Sequence, residues 1–260
     1  MKYNHKYNVI LDNMDMQEYR LRPIAAIMYL QDTFARYCAT KKVAAYDLFS
    51  KNLIWVVGEF NIEFEDKLPF WSEEIEVSLW ISEMTKLKVY TDYEILYKNK
   101  PFAKGTACWF LLNDKTKRPV KTDILTDKFT ICDELTLGEH KKFVLESEQR
   151  EISQITHKNN HADIDFNEHV NNKIYLNIAE ASLNSDFKKL HTLKSIYIRF
   201  NKETFLDDIL ICSTYNTSNS NTLVHKITKN DENICDIQTS WTQKSITDEI
   251  VNYDLSVKSE

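Results

Sequence analysis

The stretch that decides the fold is Asp163-Ile-Asp-Phe-Asn-Glu-His-Val-Asn-Asn172, and an amphipathic helical pattern follows it through Glu180. If the stretch is extended, alternate side chains lie on one face. That face would carry Asp163, Asp165, Asn167 and His169. Polar groups that converge beside a helix N-terminus can polarise a carbonyl and transfer a proton. The stretch is therefore a candidate catalytic segment.

The order of predicted elements repeats along the chain. Apolar residues at helical spacing predict helices over 22–38 and 171–184. Alternation of apolar and polar residues predicts the strands. They lie near 3–11, 53–65, 73–84, 87–98 and 102–112, and again near 143–156, 193–201, 207–217, 221–229 and 233–243. Each half is a strand, a helix and four strands, which makes a weak internal repeat.

The repeat predicts the fold class, because one long helix can bury its apolar face only against a sheet that wraps it. We expect an α+β fold of two tandem modules, each an antiparallel sheet around a central helix. The first module would cover 1–135 and the second 142–243. A polar connection, with a short helix near 122–130, would span about 113–141, and 244–260 would be a polar tail.

Composition narrows the function classes. Hydrophobic residues make up 43% of the chain and charged residues 28%, which is typical of a globular protein with a core. The formal net charge of -6 disfavours a nucleic-acid partner. The longest apolar run, Ile24 to Leu30, is too short to span a bilayer. Five widely spaced cysteines and a start without an apolar signal core predict a reduced, cytoplasmic protein.

Neither a cofactor nor a metal is predicted. The chain has three glycines and no phosphate-binding loop. His157 and His161 lack the glutamate of a zincin motif. The acids from Asp163 resemble the start of a calcium loop, but Glu168 and Ile174 stand where such a loop needs glycine and glutamate.

The two halves differ where the candidate segment lies. Setting Gln31 against Glu180 aligns the helices, and Asp165, Asn167 and His169 then face Met16, Glu18 and Arg20. Glu203, at the end of a second-half strand, corresponds to a position near Leu68, with Asp66 at the edge of that segment. One half would be catalytic and the other a binding scaffold. In isolation, however, such loop residues are common as helix caps or solvated side chains.

These residues resemble the acyl-acyl-carrier-protein (acyl-ACP) thioesterases, which terminate fatty acyl chains in plants and bacteria. DIDFNEHVNNKIYLNIAEA is similar to that family's D-x-D-x-N-x-H-V-N-N-x-x-Y signature, and IRFNKET resembles its Y-x-x-E-C strand. Four first-half segments resemble the corresponding segments of that family: LRPIAAIMYLQD, NLIWVV, FWSEEIEV and KTKRPVK. The resemblance covers roughly residues 3 to 243 and implies a double hot-dog fold.

The resemblance also implies hydrolysis of a fatty acyl-ACP thioester to free acid and holo-ACP. It places Asp165, Asn167, His169 and Glu203 in catalysis, with Thr204, Asn171 and Asn172 as auxiliary residues. Thr204 replaces the family's Cys, which favours direct attack by water over a covalent intermediate. We expect Glu203 to act as the base, and backbone N–H groups near Val170 to Asn172 to face the oxyanion.

The resemblance also implies an acyl-chain slot in the first half, between its helix and its sheet. Met28, Phe34, Trp55, Val57 and Trp80 would line the acyl slot, although ordinary core residues show the same pattern. The acidic carrier protein would meet a basic cluster of Lys115, Lys117, Arg118 and Lys121, or one of Lys41, Lys42, Lys141 and Lys142. The alternatives are an acyl-CoA thioesterase, a hot-dog dehydratase and a non-catalytic acyl-binding protein. The chain would be a monomer or a homodimer.

Overall fold

The computed structural model describes residues 1–13, 20–65, 68–140, 143–165 and 167–244. The helices in this part of the chain are α1 Ala25–Thr40, α2 Ala45–Phe49, α3 Asn172–Ala181 and α4 Ser185–Leu190. The first-half strands are β1 Tyr3–Asn8, β2 Leu53–Phe64, β3 Glu74–Met84, β4 Lys88–Tyr97 and β5 Lys100–Asn113. The second-half strands are β6 Arg150–Lys158, β7 His191–Phe200, β8 Ile209–Asn216, β9 Thr222–Lys229 and β10 Glu232–Gln243.

All of these strands join one antiparallel sheet in the order β1-β3-β4-β5-β2-β7-β10-β9-β8-β6. The order of β6 to β10 mirrors that of β1 to β5, so a pseudo-two-fold axis relates the halves. The axis passes between β2 and β7, which pair antiparallel from Glu59 opposite Arg199 to Glu63 opposite Ser195. The two predicted sheets are therefore continuous with each other, edge to edge.

The core lies between the helices and the inward face of this sheet. Ala26, Ile27 and Leu30 on α1 are almost fully buried and share one cluster with Phe60 and Ile62 of β2. Burial of each large apolar side chain contributes roughly 1.5–3 kcal/mol. The apolar stripe that predicts the helix is thus the face that α1 buries.

The second helix ends earlier than predicted, at Ala181 rather than residue 184. The Ser182 hydroxyl donates to the Ala179 carbonyl at 2.7 Å, which competes with helix continuation. The Asn184 side chain then accepts the N–H of Asp186 at 2.7 Å and caps α4. The predicted helix therefore ends three residues early, and a separate short helix, α4, follows it.

The first strand of the second half begins at Arg150, seven residues later than predicted. The Phe143 ring instead stacks on Tyr197 with 3.8 Å between ring centroids, and the Glu146 N–H donates to the side-chain oxygen of Gln238 at 2.8 Å. The segment before Arg150 therefore packs on the outer side of the sheet without joining it as a strand. The predicted strand start at residue 143 is wrong, because burial of Phe143 against the sheet gives the same apolar pattern.

The connection between the halves covers the outer face of the first-half sheet. Its predicted short helix is a 3-10 turn, Thr122–Leu125. The fully buried Asp92 holds the connection, since its Oδ1 accepts the N–H and hydroxyl of Thr136 at 2.7 and 2.8 Å. His140 Nε2 lies 3.2 Å from Asp92 Oδ2. Several sequence predictions concern residues outside the described ranges. These are the polar tail after Lys244 and the residues Met16, Glu18, Asp66, Lys141 and Lys142.

Candidate active site

The segment from Asp163 to Asn172 is a tight loop and not the extended run expected. The Asp165 N–H donates to the His169 carbonyl at 2.8 Å, and Ile164 pairs antiparallel with Val170. The chain therefore reverses within five residues, and strand alternation does not apply to it. The expectation that four polar side chains share one face is wrong.

Asp163 closes the turn that leads into this loop. Its side chain is buried, and Oδ2 is 2.9 Å from His157 Nε2. The same oxygen accepts the backbone and side-chain N–H groups of Asn160, both at 2.9 Å. With its carboxylate used in this way, Asp163 supports the loop from behind and does not join the other polar groups.

His169 and Glu203 are brought together from different parts of the chain. His169 Nε2 lies 3.4 Å from Glu203 Oε2, and the two side chains are 21% and 35% exposed. The Val170 N–H donates to the Thr204 carbonyl at 2.9 Å, which ties the loop before α3 to the turn after β7. The two groups are within ion-pair distance when the imidazole is protonated, and solvent reaches both side chains.

Asp165 and Asn167 shape the loop that carries His169. Asp165 Oδ1 accepts the backbone N–H of Asn167 at 2.8 Å, and Asn167 is exposed. This is an Asx turn, in which the carboxylate fixes the backbone two residues on. Asp165 thus orders the backbone at Asn167, and its expected role in orienting the Asn167 or His169 side chain stays a prediction.

The start of α3 offers fewer oxyanion donors than expected. The Val170 N–H is bonded to Thr204, and the Asn171 N–H donates to the Asp163 carbonyl at 2.8 Å. Neither of these two N–H groups can bind an oxyanion, because each already donates to a backbone carbonyl. Asn171 is the N-cap of α3, since its Oδ1 accepts the N–H of Lys173 at 3.1 Å. Asn172 begins the helix, where the helix dipole places partial positive charge.

Thr204 is fully buried beneath the pair. Its hydroxyl lies 2.8 Å from the Tyr175 hydroxyl and 3.4 Å from Asn159 Nδ2. Burial raises the pKa of Tyr175 to about 12, so the phenol stays protonated. Thr204 therefore anchors the turn that carries Glu203, and its hydroxyl is committed to buried partners.

Three of the expected slot residues, Phe34, Trp55 and Val57, lie between α1 and the sheet. Phe34 stacks on Trp109 with 3.9 Å between centroids and meets Trp55 edge-on at 5.2 Å. Val57 is buried in the same cluster, and Met28 on α1 is half-buried. Aromatic rings thus fill the interior of the first half.

Trp80 does not belong to this slot. Its neighbours Leu79 and Ile81 belong to the core cluster, so Trp80 points to the opposite face of β3. There its indole N–H donates to the Glu134 carbonyl at 2.8 Å, and Lys2 Nζ lies 4.0 Å from the ring centroid. The prediction is wrong because both faces of β3 are buried, one of them by the connection.

Comparison with known proteins settles the family. The family model for the acyl-ACP thioesterase N-terminal domain matches residues 1–129, and that for the C-terminal domain matches residues 146–243. The chain belongs to the acyl-ACP thioesterase family. The fold expected from the sequence, a double hot-dog, is confirmed.

Solved acyl-ACP thioesterases share the whole fold of this chain. The enzyme from Bacteroides thetaiotaomicron superposes with a TM-score of 0.80 at 19% identity and covers 93% of this chain and 98% of its own. The 12:0-ACP thioesterase from Umbellularia californica gives a TM-score of 0.81 at 16% identity, with 94% and 98% covered. These likenesses establish the fold alone.

Curated plant thioesterases are similar in sequence but longer. Oleoyl-acyl carrier protein thioesterase 2 of Arabidopsis thaliana, a chloroplast protein, is 25% identical over 225 residues. The match covers 82% of this chain and 59% of that protein. The chain thus spans less than two thirds of the length of this relative.

Two supporting residues of the candidate site were missed from the sequence. Tyr175 stands in the quoted signature, but no role was assigned to it. Asn159 is buried, and its Nδ2 donates to the Phe205 carbonyl at 2.8 Å, which fixes the turn after Glu203. The signal for Asn159 was a polar residue at the end of a strand, which is too common to single it out.

The basic residues of the predicted carrier-protein clusters lie mostly at the surface. Lys115, Lys117, Arg118 and Lys121 are all exposed, as is Lys42, whereas Lys41 is half-buried. The five cysteines are free thiols. Among the described residues, no cluster of three or more potential ligands could hold a metal ion. No helix in that part of the chain is long and apolar enough to cross a membrane.

Proposed function

We propose that this chain hydrolyses the thioester of a fatty acyl-ACP, releasing free fatty acid and holo-ACP. The observation that carries the proposal is the 3.4 Å approach of His169 Nε2 to Glu203 Oε2 beside the start of α3, in a chain of the acyl-ACP thioesterase family. The free thiols support a reduced, cytoplasmic compartment.

In the proposed reaction, Glu203 takes a proton from water while the water oxygen attacks the thioester carbonyl carbon. His169 and Asn167 position the water and the substrate, and the N–H at the start of α3, at Asn172, faces the oxyanion. The carbon–sulfur bond then breaks, and the proton passes to the leaving thiolate. The buried Thr204 hydroxyl supports this route over a covalent one, because it is bonded to Tyr175.

The two modules have different proposed roles. The second, residues 142–243, supplies the reacting groups. The first, residues 1–135, would hold the acyl chain beside Met28, Phe34, Trp55 and Val57. The exposed cluster of Lys115, Lys117, Arg118 and Lys121 would receive the acidic carrier protein.

The test is free-thiol release from acyl-ACPs of increasing chain length, with matched acyl-CoAs and His169→Ala alongside. We expect a higher kcat/KM on the carrier protein and loss of release in the variant. A preference for acyl-CoA would identify a CoA thioesterase, and an enoyl product a dehydratase. Tight binding without thiol release by folded protein would leave an acyl-binding role and overturn the proposal.

A further inference from the structure

A cavity of about 380 Å³ lies away from the His169–Glu203 pair, between the start of α1 and the far end of α3. Its volume falls within the range of roughly 300–1,000 Å³ that is usual for small-molecule sites. Both modules line it. The apolar part of its wall includes Leu21, Ile24, Leu176, Leu183, Leu193 and Trp241.

The cavity is the pseudo-symmetric counterpart of the candidate active site. In the second half the Val170 N–H donates to the Thr204 carbonyl at 2.9 Å, and in the first half the Leu21 N–H donates to the Pro69 carbonyl at 2.8 Å. Matching these two bonds sets Arg20 against His169 and Leu68 against Glu203. The helix patterns alone give the same match for Arg20.

Further contacts support the correspondence. Val9 exchanges backbone hydrogen bonds with the segment Ser72–Glu73, and Asn159 does so with Asp207–Asp208. The Arg20 guanidinium lies 4.0 Å from the Phe70 ring centroid, while His169 meets Phe205 edge-on at 5.1 Å. The position opposite the proposed base is a leucine, so this end of the molecule keeps a pocket without a counterpart of the His169–Glu203 pair.

The charge around the cavity differs in sign from that of the whole chain. Among the described residues, the charged groups that line it are Arg20, Arg22, Lys188 and Lys244 and one carboxylate, Glu180, in a protein of net charge -6. Glu180 is paired with Arg22. The Arg20 guanidinium donates to the Leu68 carbonyl at 2.7 Å and has no carboxylate partner among the described residues. Its remaining N–H groups can bind an anion.

The opposite wall of the cavity contains a polar side chain whose hydrogen-bonding atoms already have partners. His225 is fully buried, with Nδ1 2.9 Å from the Thr214 hydroxyl and Nε2 3.1 Å from the Thr239 hydroxyl. Burial lowers the pKa of His225 to about 3, so the ring is neutral. A ligand charge is therefore expected at the arginine side.

We propose that this cavity binds an aliphatic carboxylate, with its head group on Arg20 and its chain along the leucine-lined wall. A guanidinium offers a two-pronged contact to a carboxylate, and the apolar wall gains from an alkyl chain. The site is separate from the reacting groups, so its occupation does not depend on turnover.

The first experiment locates the ligand on the full-length protein. A diazirine derivative of dodecanoic acid is photolysed on the wild-type protein, and labelled peptides are mapped by mass spectrometry. We expect labelling within 20–24 and 176–196, competed by dodecanoate and not by dodecanol. Labelling confined to the first-half interior, near Met28 and Val57, would overturn the proposal.

The second experiment measures dodecanoate affinity by calorimetry in two matched variants. Arg20→Gln should weaken binding tenfold or more. Lys6→Gln removes an equal charge from an exposed residue that does not line the cavity, and it should leave the affinity unchanged. Equal losses in both variants would indicate non-specific charge attraction, and no loss in Arg20→Gln would remove Arg20 as the head-group site.

Discussion

The proposed reacting groups, His169 and Glu203, are held by a few contacts between single residues. His169 and Glu203 are distant in the sequence, and the hydrogen bond from the Val170 N–H to the Thr204 carbonyl helps to bring their segments together. The resemblance names both residues, but their approach requires the folded chain. The support from Tyr175 and Asn159 could not be predicted, because it depends on which hydroxyl and amide groups are buried together.

Substitution of the pair should separate chemistry from folding. Glu203→Gln and His169→Ala should each lower kcat by roughly 10²–10⁴, the usual contribution of acid–base groups. Both side chains are partly exposed, so we expect native circular dichroism spectra. Thiol release from an acyl-ACP measures the effect. Glu232→Gln is the matched control on an exposed carboxylate paired with Lys202. Wild-type turnover by either variant would exclude that residue from the reaction.

At the level of elements, alternation located most strands and failed where both sides of a strand are covered. The predicted limits of β2 to β5 agree with the structure to within two residues. Trp80 and Phe143 were misplaced for the same reason, because apolar residues on the outer face pack under or within the connection. Sequence periodicity reports which residues are buried, and it does not report what covers them.

Asp92 holds the connection between the halves against the first-half sheet, and its contribution to the free energy of unfolding should fall at acid pH. Burial alone would raise its pKa, but contacts with His140, Ser82 and Thr136 lower it below the usual value. A carboxyl whose pKa is depressed on folding stabilises the protein above its unfolded pKa, ~3.9. That stability is lost as pH falls from there through the folded pKa.

The prediction is tested by denaturant unfolding across pH. Asp92→Asn should lower the free energy of unfolding at pH 7 by roughly 1.5–3 kcal/mol, the range for hydrogen bonds to a charged group. It should also flatten the loss of stability below pH ~4. Asp127→Asn, at an exposed carboxylate in the same connection, serves as control. An unchanged acid limb in Asp92→Asn would assign the acid sensitivity to other groups.

At the scale of the whole molecule, the order of elements predicted two modules but not how they meet. Alternation assigns the faces of a strand, whereas the junction is made by the edges of β2 and β7. Isolated residues 143–244 should therefore expose the backbone groups of β7 and associate with themselves. Light scattering coupled to size exclusion checks this, and a stable monomer would show that the junction is dispensable.

The pseudo-two-fold axis has a consequence for how this molecule can change. In a symmetric dimer of one module, every substitution occurs twice, once at each end. Here the two ends are encoded separately, and equivalent positions already hold Arg20 and His169. Because both halves lie in one chain, mutation can reshape one end of the molecule and leave the other unchanged.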